Sequence, residues 1–272
     1  MRDIILMDGA AGTALWSMAE AAGVSKDPVW KYNMEHPEFV SELHRRYIEA
    51  GCDMIQTNTF SANDFTVSRQ SDYSTEAVIT EAVKLARQAA EGSKAKVYLS
   101  FGPPPTMMEP YGTLRREEVR AMYAAMAEAG KAAGADFAAL ETFMDAEMMR
   151  LAAQSVKEAG LTTVCSMTFA KRHRTMMGDT VQKIVDLLEP LGIDGIGMNC
   201  SAGPVEALEI IKEFAGKTSL PLYFKPNSGI GDTYSASQFA DEVEPALDFV
   251  HWIGGCCGCD DSYIKELGKR IK

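Results

Sequence analysis

Four of the six cysteines lie in the last third of the chain, and three of them stand beside short apolar runs. Cys200 follows the run 195–199, and the adjacent pair Cys256 and Cys257 lies in the sequence Gly254-Gly255-Cys256-Cys257-Gly258. Neighbouring side chains on a regular strand point to opposite faces, so the pair converges only where the backbone is irregular, which these glycines permit. Single cysteines are often buried as small apolar residues. A paired thiol in a glycine loop instead favours three thiolates that bind one metal ion.

Three thiolates at one point suit a zinc ion. Thiolates bind zinc at about 2.3 Å, and three protein ligands leave a fourth position for water or substrate, as in catalytic zinc sites. Such a site carries net negative charge, which suits a nucleophilic sulfur better than a carbonyl group. We therefore predict Cys200, Cys256 and Cys257 as zinc ligands, a thiol as the substrate, and alkyl transfer to its sulfur as the reaction. An inert structural site with Cys259 as a fourth ligand is the alternative, although we favour Cys259 as a bystander.

The elements that must position these sulfurs are short apolar runs that alternate with longer amphipathic stretches. The predicted strands are residues 4–8, 54–57, 97–101, 137–141, 163–168, 195–199, 222–225 and 252–254. The predicted helices are residues 38–50, 74–91, 117–133, 146–159, 180–188, 205–214, 236–248 and 262–271. Strands separated by helices run parallel, and eight such units most simply close into a (β/α)8 TIM barrel. We predict this α/β fold as one domain over residues 1–272; an open doubly wound sheet is the alternative, but no G-x-G-x-x-G motif follows the first strand.

Polar residues stand at the ends of most predicted strands, and a TIM barrel builds its active site on that face. Besides the cysteine loop, these ends are Asp8-Gly9, Asn58-Thr59, Glu141-Thr142, Asn199-Cys200 and Lys225-Pro226-Asn227. The carboxylates of Asp8 and Glu141 are suited to a substrate ammonium group. Backbone N–H groups near Gly9-Ala10 or Ser201-Ala202-Gly203 are suited to its carboxylate. The predicted substrate is therefore an amino acid that carries a thiol.

The composition excludes several classes of protein. Among 272 residues, 27 Lys and Arg stand against 38 Asp and Glu, and this net charge of −11 argues against a nucleic-acid partner. A hydrophobic content of 46% is that of an ordinary globular protein rather than a disordered chain. No segment approaches the roughly 18 apolar residues of a membrane span. Since Asp3 and Asp8 also interrupt any leader-like N-terminal segment, we expect a cytoplasmic protein with no membrane partner.

At these residues the sequence resembles the homocysteine S-methyltransferase family. These zinc-dependent enzymes include betaine- and S-methylmethionine-using members and the homocysteine domain of cobalamin-dependent methionine synthase. The matching motifs are Met7-Asp8-Gly9-Ala10-Ala11-Gly12-Thr13, Gln56-Thr57-Asn58-Thr59-Phe60, Glu141-Thr142-Phe143, Gly197-Met198-Asn199-Cys200, Lys225-Pro226-Asn227-Ser228-Gly229 and Gly254-Gly255-Cys256-Cys257-Gly258. The Asn-Cys motif followed by Gly-Gly-Cys-Cys-Gly is the specific part of this match.

The resemblance implies a (β/α)8 barrel with zinc on the three cysteines and homocysteine as the thiol that fills the open position. The product would be methionine. Asp8 and Glu141 would bind the amino acid, and Asn227 would lie near the metal. The complete predicted substrate-binding set is Asp8, Gly9, Asn58, Glu141, Ser201 and Asn227. No side chain is predicted as a catalytic acid or base, because the metal would activate the substrate thiol itself.

Departures from the family pattern concern the methyl donor. After Gly258 the family usually continues with Thr or Ser, then Pro and His, whereas Cys259-Asp260-Asp261 follow here. The usual proline near Gly229 is also missing. After the eighth predicted helix the chain leaves no room for a cobalamin-binding domain or for the C-terminal arm of betaine-using relatives. We therefore expect the methyl group to come from a methylcorrinoid, such as methylcobalamin, carried on another protein.

Two other functions remain as alternatives. The same acceptor could take its methyl group from a small molecule, namely S-methylmethionine, S-adenosylmethionine or betaine. The chain could also be a noncatalytic zinc-binding partner subunit in which Cys259 is a fourth ligand.

The basic run Lys171-Arg172-His173-Arg174 follows the fifth predicted strand. It is either a solvated loop or a contact for an acidic partner protein or a phosphate-bearing cofactor.

Overall fold

Eight parallel strands form one sheet in the computed structural model, which describes residues 4–201, 203–229 and 233–271. They are β1 (Ile5–Leu6), β2 (Met54–Gln56), β3 (Lys96–Phe101), β4 (Phe137–Phe143), β5 (Thr162–Met167), β6 (Gly195–Cys200), β7 (Leu222–Pro226) and β8 (Trp252–Ile253). The sheet order β1-β8-β7-β6-β5-β4-β3-β2 places consecutive strands side by side. The predicted (β/α)8 TIM barrel is therefore confirmed. The doubly wound alternative is wrong, because such a sheet reverses its strand order at a switch point.

The barrel is nearly closed where β1 meets β2, the two strands at the ends of the sheet order. Met7 forms a parallel bridge with Met54. A carboxylate oxygen of Asp53 accepts a hydrogen bond from a backbone N–H of β1 at 2.9 Å. Oδ2 of Asp8 accepts one from the backbone N–H of Gln56 at 2.7 Å. The two carboxylates satisfy backbone N–H groups that the short strand pairing leaves without a partner. The bond to Gln56 also fixes Asp8 at the C-terminal face of the barrel.

Eleven α-helices surround the sheet in the described part of the chain. They are α1 (Gly12–Ala21), α2 (Tyr32–Glu35), α3 (Pro37–Glu49), α4 (Asp64–Gln70), α5 (Thr75–Ala90), α6 (Arg116–Ala132), α7 (Ala146–Glu158), α8 (Val181–Leu188), α9 (Pro204–Ala215), α10 (Ala236–Val243) and α11 (Asp261–Ile271). The sequence pattern predicts all of them except α1, α2 and α4. The predicted helix 236–248 is shorter than expected, because Pro245 lacks an N–H group and a 3-10 helix, Glu244–Asp248, follows α10. None of the helices described is both long and apolar enough to cross a membrane.

Side-chain caps start several helices on the face where the strands end. Ser74, Asp145, Thr180 and Ser235 each accept a hydrogen bond from a backbone N–H in the first turn of α5, α7, α8 and α10, respectively. These oxygens satisfy N–H groups that have no partner within the helix. The caps thereby fix where the loops around the mouth of the barrel end. By contrast, α1 begins without a side-chain cap.

A period of two residues sorts the strand side chains between the barrel interior and the layer under the helices. An apolar cluster fills the lower interior and consists of Met7, Met54, Tyr98, Phe137, Ala139, Val164 and Tyr223. The next positions on the same face of each strand are buried and polar: Gln56, Ser100, Glu141, Ser166, Asn199 and Lys225. Intervening residues such as Leu99 and Leu140 belong to the core between sheet and helices. A polar layer therefore lies above an apolar one, at the predicted active face.

Candidate active site

The sulfur atoms of Cys200, Cys256 and Cys257 form a cluster. All three Sγ atoms lie within 4.8 Å of one another, and those of Cys200 and Cys257 are 3.9 Å apart. Ligands placed tetrahedrally at about 2.3 Å from a zinc ion are separated by about 3.8 Å. The spacing of these sulfurs therefore fits a zinc ion.

The three thiols share hydrogen bonds, and this sharing sets their acidity. Contacts from Cys256 and Cys257 lower the pKa of Cys200 to about 3, although burial of the thiol opposes this effect. The contact with Cys200 raises the pKa of Cys256 well above its ordinary value, and so does burial. The thiols are therefore close enough to exchange hydrogen bonds, and metal binding requires that they lose their protons. This donor set has the chemistry of a metal site.

Irregular backbone accompanies the sulfur cluster. Cys200 ends β6 with a φ of 58°, in the left-handed region, and Ser201 follows with a φ of 66°. Gly258 has a φ of 83°. A Cβ atom at Gly255 would lie only 2.3 Å from Cβ of Cys259. Glycine is therefore required at position 255 in the loop that carries the cysteine pair, because any side chain there would collide with the buried side chain of Cys259.

Cys259 lies outside the sulfur cluster. Its side chain is fully buried in the core between the sheet and the helices. Its Sγ lies 3.8 Å from the carbonyl oxygen of Pro226. Burial raises the pKa of this thiol, so it stays protonated at neutral pH. Since the thiolate is the metal-binding form, Cys259 behaves here as a small core residue.

A buried lysine lies between two buried carboxylates beside the sulfurs. Nζ of Lys225 donates a hydrogen bond to Oδ1 of Asp8 at 2.9 Å and lies 4.0 Å from Oε1 of Glu141. Burial alone would lower the pKa of Lys225, but the two carboxylates outweigh it and raise the pKa above its ordinary value. When both carboxylates are ionised, the trio carries one net negative charge. That charge suits the ammonium group of an amino acid.

Hydroxyl groups hold the two carboxylates in place. The hydroxyl of Tyr98 donates to Asp8 at 2.9 Å. Glu141 accepts from the hydroxyl of Ser100 at 2.7 Å and from that of Tyr223. Burial raises the pKa of both tyrosines well above the ordinary value, so they remain hydroxyl donors. Each carboxylate is therefore fixed by groups from neighbouring or opposite strands of the barrel.

A cavity of about 540 Å³ opens onto the sulfur cluster. Three of the predicted substrate-binding residues, Gly9, Asn58 and Glu141, line it together with the three cysteines. The first residues of α1 form another part of the wall. A third part is aromatic and consists of Trp16, Trp30 and Phe60. One cavity, open to the surface, thus joins the sulfurs to a carboxylate, to a helix N-terminus and to an apolar surface.

The other three predicted substrate-binding residues, Asp8, Ser201 and Asn227, are not part of the cavity lining. The hydroxyl oxygen of Ser201 accepts a hydrogen bond from the backbone N–H of Phe169 at 2.6 Å. The side chain of Asn227 is buried, and its Oδ1 has no hydrogen-bond partner among the described residues. Ala202, whose N–H group is one of those predicted to bind a carboxylate, lies outside the described residues. Asp8, Ser201 and Asn227 are nevertheless next in sequence to lining or metal-cluster residues or in contact with one another: Asp8 precedes Gly9, Ser201 follows Cys200, and Nδ2 of Asn227 lies 3.5 Å from the Ser201 carbonyl oxygen.

Sequence reasoning placed Lys225 at a strand end on the active face but gave it no role, and it missed the hydroxyl donors. The period of two could have indicated them, since Tyr98 and Ser100 share one face of β3, as Tyr223 and Lys225 share one face of β7. Their contacts, however, join distant parts of the chain. Asp8 and Lys225, for example, are 217 positions apart. Only the closed barrel brings such residues together.

The basic run after β5 is partly described. Arg172 and Arg174 are exposed, and Arg174 donates a hydrogen bond to the Gly178 carbonyl at 3.0 Å. Nδ1 of His173 lies 3.5 Å from a carboxylate oxygen of Glu213. The side chain of Lys171 lies outside the part that the structure describes. The described residues of the run therefore present positive charge at the active face of an acidic chain.

His44 on α3 is a buried histidine that carries a testable consequence. Its Nε2 has no hydrogen-bond partner in the described part of the chain. Burial lowers the pKa of His44 to about 4, although Asp8 opposes this shift. An unfolded histidine has a pKa of about 6.5, so below that pH the unfolded state binds a proton that the folded state does not. Stability is therefore lost as the pH falls from about 6.5 towards 4.

We expect this one group to remove about 2 kcal/mol of stability between pH 7.5 and pH 5. Urea unfolding at both values measures the loss. In His44→Leu the loss should be smaller than in the parent protein by about that amount, since leucine binds no proton. Equal losses in the two proteins would contradict the assignment of a neutral buried imidazole.

Comparisons with known proteins agree with the geometry. A model of the family described as homocysteine S-methyltransferase matches residues 5–271. Methionine synthases from Mycobacterium leprae and Mycobacterium tuberculosis are each 28% identical to the chain, over 88% and 98% of its length. The matched segments are 22% and 24% of those proteins, so the chain spans about a quarter of these relatives. The metallated form of the homocysteine methyltransferase MmuM from Escherichia coli is 25% identical, with a TM-score of 0.81 over 99% of this chain and 96% of that one.

Proposed function

Since the chain belongs to the homocysteine S-methyltransferase family, we propose that it transfers a methyl group to the sulfur of homocysteine and so forms methionine. The cluster of three cysteine sulfurs within 4.8 Å, at a cavity that Glu141 also lines, is the observation that carries this proposal. A sulfur site and an ammonium site in one cavity suit an amino acid with a thiol. The four-cysteine alternative is less well supported, because Cys259 is buried outside the cluster.

We propose that Cys200, Cys256 and Cys257 hold a zinc ion. Their spacing and the contact between the thiols of Cys200 and Cys257 support this assignment. When bound, the zinc ion would stabilise the thiolate form of the substrate sulfur and leave it nucleophilic. The metallated form of MmuM is a structural relative of the whole chain, which agrees with a metal at this site.

The remaining groups of the cavity would bind the rest of homocysteine. Glu141 is the carboxylate on the cavity wall, and Asp8 adds negative charge behind it. The uncapped N-terminus of α1 also lies on the wall, where its free N–H groups suit a carboxylate. We propose that Glu141 and Asp8 attract the ammonium group and that the start of α1, after Gly9, binds the carboxylate. Asn58 lines the space between them, and Ser201 and Asn227 support the loops behind it.

Transfer is then a single displacement at carbon. The substrate thiolate attacks the methyl carbon, a carbon–sulfur bond forms, and the bond from the methyl group to the donor breaks with both electrons staying on the donor. No proton has to move in this step, because homocysteine reacts as the thiolate. The protein's own residues would bind the ammonium and carboxylate groups and so hold the sulfur in position for the attack.

For the donor, we propose a methylcorrinoid, such as methylcobalamin, carried on another protein. All large hydrophobic side chains that are exposed in the described residues follow the C-terminal ends of strands: Trp16, Phe60, Tyr73, Met107, Tyr111, Met144, Met176 and Val205. These side chains give the active face apolar surface that is suited to contact with another protein. The exposed Arg172 and Arg174 on that face would favour an acidic partner. The methionine synthase relatives, of which the chain matches about a quarter, agree with a partner that supplies the donor.

A small-molecule donor is the second candidate, and the aromatic wall of the cavity favours it. Trp16, Trp30 and Phe60 lie in the same cavity as the sulfurs. Aromatic faces attract methylated cations such as sulfonium and quaternary ammonium groups. S-methylmethionine, S-adenosylmethionine and betaine all carry such a group.

A donor screen tests both halves of the proposal. Zinc-loaded protein and homocysteine are incubated separately with a methylcobalamin-loaded corrinoid protein, free methylcobalamin, S-methylmethionine, S-adenosylmethionine and betaine, each with a deuterated methyl group. Labelled methionine is measured by mass spectrometry, and we expect it with the corrinoid donors. Methionine from a small donor without any corrinoid would overturn the donor assignment. Failure to bind homocysteine at all would overturn the acceptor.

We also propose a cytoplasmic location. All six cysteines are free. A thiolate metal site requires reduced cysteines, and the cytosol is the compartment that keeps thiols reduced.

A further inference from the structure

Asn199 is a buried residue whose side-chain amide contacts both the cysteine cluster and the residue that follows Glu141. It lies on β6 directly before Cys200 and is 2% exposed. Its Oδ1 accepts hydrogen bonds from the backbone N–H of Thr142 and from the hydroxyl of Ser166, both at 2.8 Å. Its Nδ2 donates to the hydroxyl of Thr142 at 2.8 Å and lies 3.8 Å from Sγ of Cys256. One side chain thus links β4, β5 and β6 to the cysteine loop after β8.

Thr142 is the residue that Asn199 holds most firmly. Its φ is 65°, in the left-handed region, where a β-branched residue is a conformational outlier. Such a conformation persists only when the surrounding groups hold it in place. Asn199 does so by binding both the N–H and the hydroxyl of Thr142. Thr142 directly follows Glu141, and the register of β4 shifts between Leu140 and Phe143. The position of Glu141 therefore depends on the two hydrogen bonds between Asn199 and Thr142.

The same amide limits where the sulfurs lie. Its N–H group points to Cys256, and its backbone leads into Cys200, whose φ is also positive. A move of Asn199 would therefore shift two of the three sulfurs as well as the carboxylate. Amide groups that hold metal-ligating side chains in this way affect the orientation of those side chains and the affinity of the site for its metal ion.

We propose that Asn199 is a positioning residue that sets the distance between Glu141 and the sulfur cluster, and that this distance selects the chain length of the amino acid thiol. The inference rests on the proposed function, in which Glu141 attracts the ammonium group and the sulfurs hold the metal. Only one side-chain length then satisfies both ends of the substrate. Cysteine is one methylene shorter than homocysteine and cannot reach both. A difference of one methylene is typically worth about 10- to 200-fold in discrimination.

The variants Asn199→Ala and Asn199→Asp separate the contributions of the amide. Alanine removes all four contacts. Aspartate can still accept a hydrogen bond from the Thr142 N–H, but it has no N–H for Cys256 and places negative charge beside the sulfurs. Thr163→Val is the matched control. It removes a buried hydroxyl from β5 at the end away from Ser166, where Thr163 donates to the Leu161 carbonyl at 3.0 Å.

Two measurements need no methyl donor. Isothermal titration of zinc-loaded protein gives the Kd for homocysteine and for cysteine, and chelator competition gives the Kd for zinc. We expect the preference for homocysteine over cysteine to fall by about tenfold or more in both Asn199 variants. We expect zinc affinity to fall by about 10- to 100-fold, most in Asn199→Asp. Thr163→Val should keep the parent ratio and zinc affinity even though its melting temperature falls.

Several outcomes would overturn the inference. The parent protein could bind the two thiols equally, or the folded Asn199 variants could keep the parent ratio of the two Kd values. Failure of the parent protein to bind homocysteine would instead count against the proposed function. In that case chelator competition still tests whether Asn199 positions the sulfurs. Unchanged zinc affinity in both variants would show that it does not.

Discussion

Cys200→Ala should lose its zinc and its ability to form methionine, whereas Cys259→Ala should keep both. Cys200 is one of three sulfurs in the cluster, and Cys259 is buried outside it. Structural zinc sites with four ligands bind with about 10–16 kcal/mol, so the loss of one ligand removes about 3 kcal/mol. That corresponds to a zinc affinity at least about a hundredfold weaker. Metal analysis after dialysis in a zinc buffer, together with a methionine assay, measures the two effects.

The Cys259 variant is the matched control for this experiment. It removes a thiol that lies two positions after Cys257 and three after Cys256, and it leaves a small residue in the core. A modest fall in stability is expected from the lost packing, without a change in metal content. If Cys200→Ala retained stoichiometric zinc and normal turnover, the ligand assignment would be wrong. If Cys259→Ala lost the metal, the four-cysteine site would regain support.

Lys225→Met should destabilise the fold by about 3–5 kcal/mol, because it leaves buried carboxylates without their partner. Side chains of Lys225 and Asp8 are only 3% and 1% exposed, and Nζ lies 2.9 Å from Oδ1. Methionine fills a similar volume, so the loss of packing is small. Urea unfolding at pH 7 measures the difference. Homocysteine binding should weaken as well, since the position of both carboxylates depends on this contact.

Lys269→Met supplies the comparison for a surface ion pair. Lys269 pairs with Glu266 one turn away on α11, and its side chain is 55% exposed. Exposed pairs of this kind contribute about 0–1 kcal/mol. A loss below about 1 kcal/mol in Lys225→Met, equal to that in Lys269→Met, would show that the buried trio does not depend on its lysine.

The fold could be predicted because its signals are local. Each strand is a short apolar run, and Ser74, Asp145, Thr180 and Ser235 are caps that can be recognised from residue type alone. Parallel strands joined by helices then leave few topologies. α1 could not be predicted in this way, since only Leu15 and Ala19 are buried along it and it lacks a side-chain cap.

The candidate site could be predicted only in part. The three cysteines stand out because two of them are adjacent in a glycine loop, and Glu141 stands out as an acid that ends an apolar strand. The partners of these residues could not be found, because they come from other strands. Lys225 meets Asp8 across 217 positions, and Asn199 meets Thr142 across 57. Such contacts are set by the register and closure of the barrel rather than by any local pattern.

X-ray absorption at the zinc edge tests the central claim most directly. We expect zinc-loaded protein to show three sulfur neighbours at about 2.3 Å and one lighter atom. After homocysteine is added, the lighter atom should be replaced by a fourth sulfur. Four sulfurs from the start, with no change on adding homocysteine, would contradict a substrate thiol that enters a site built by Cys200, Cys256 and Cys257.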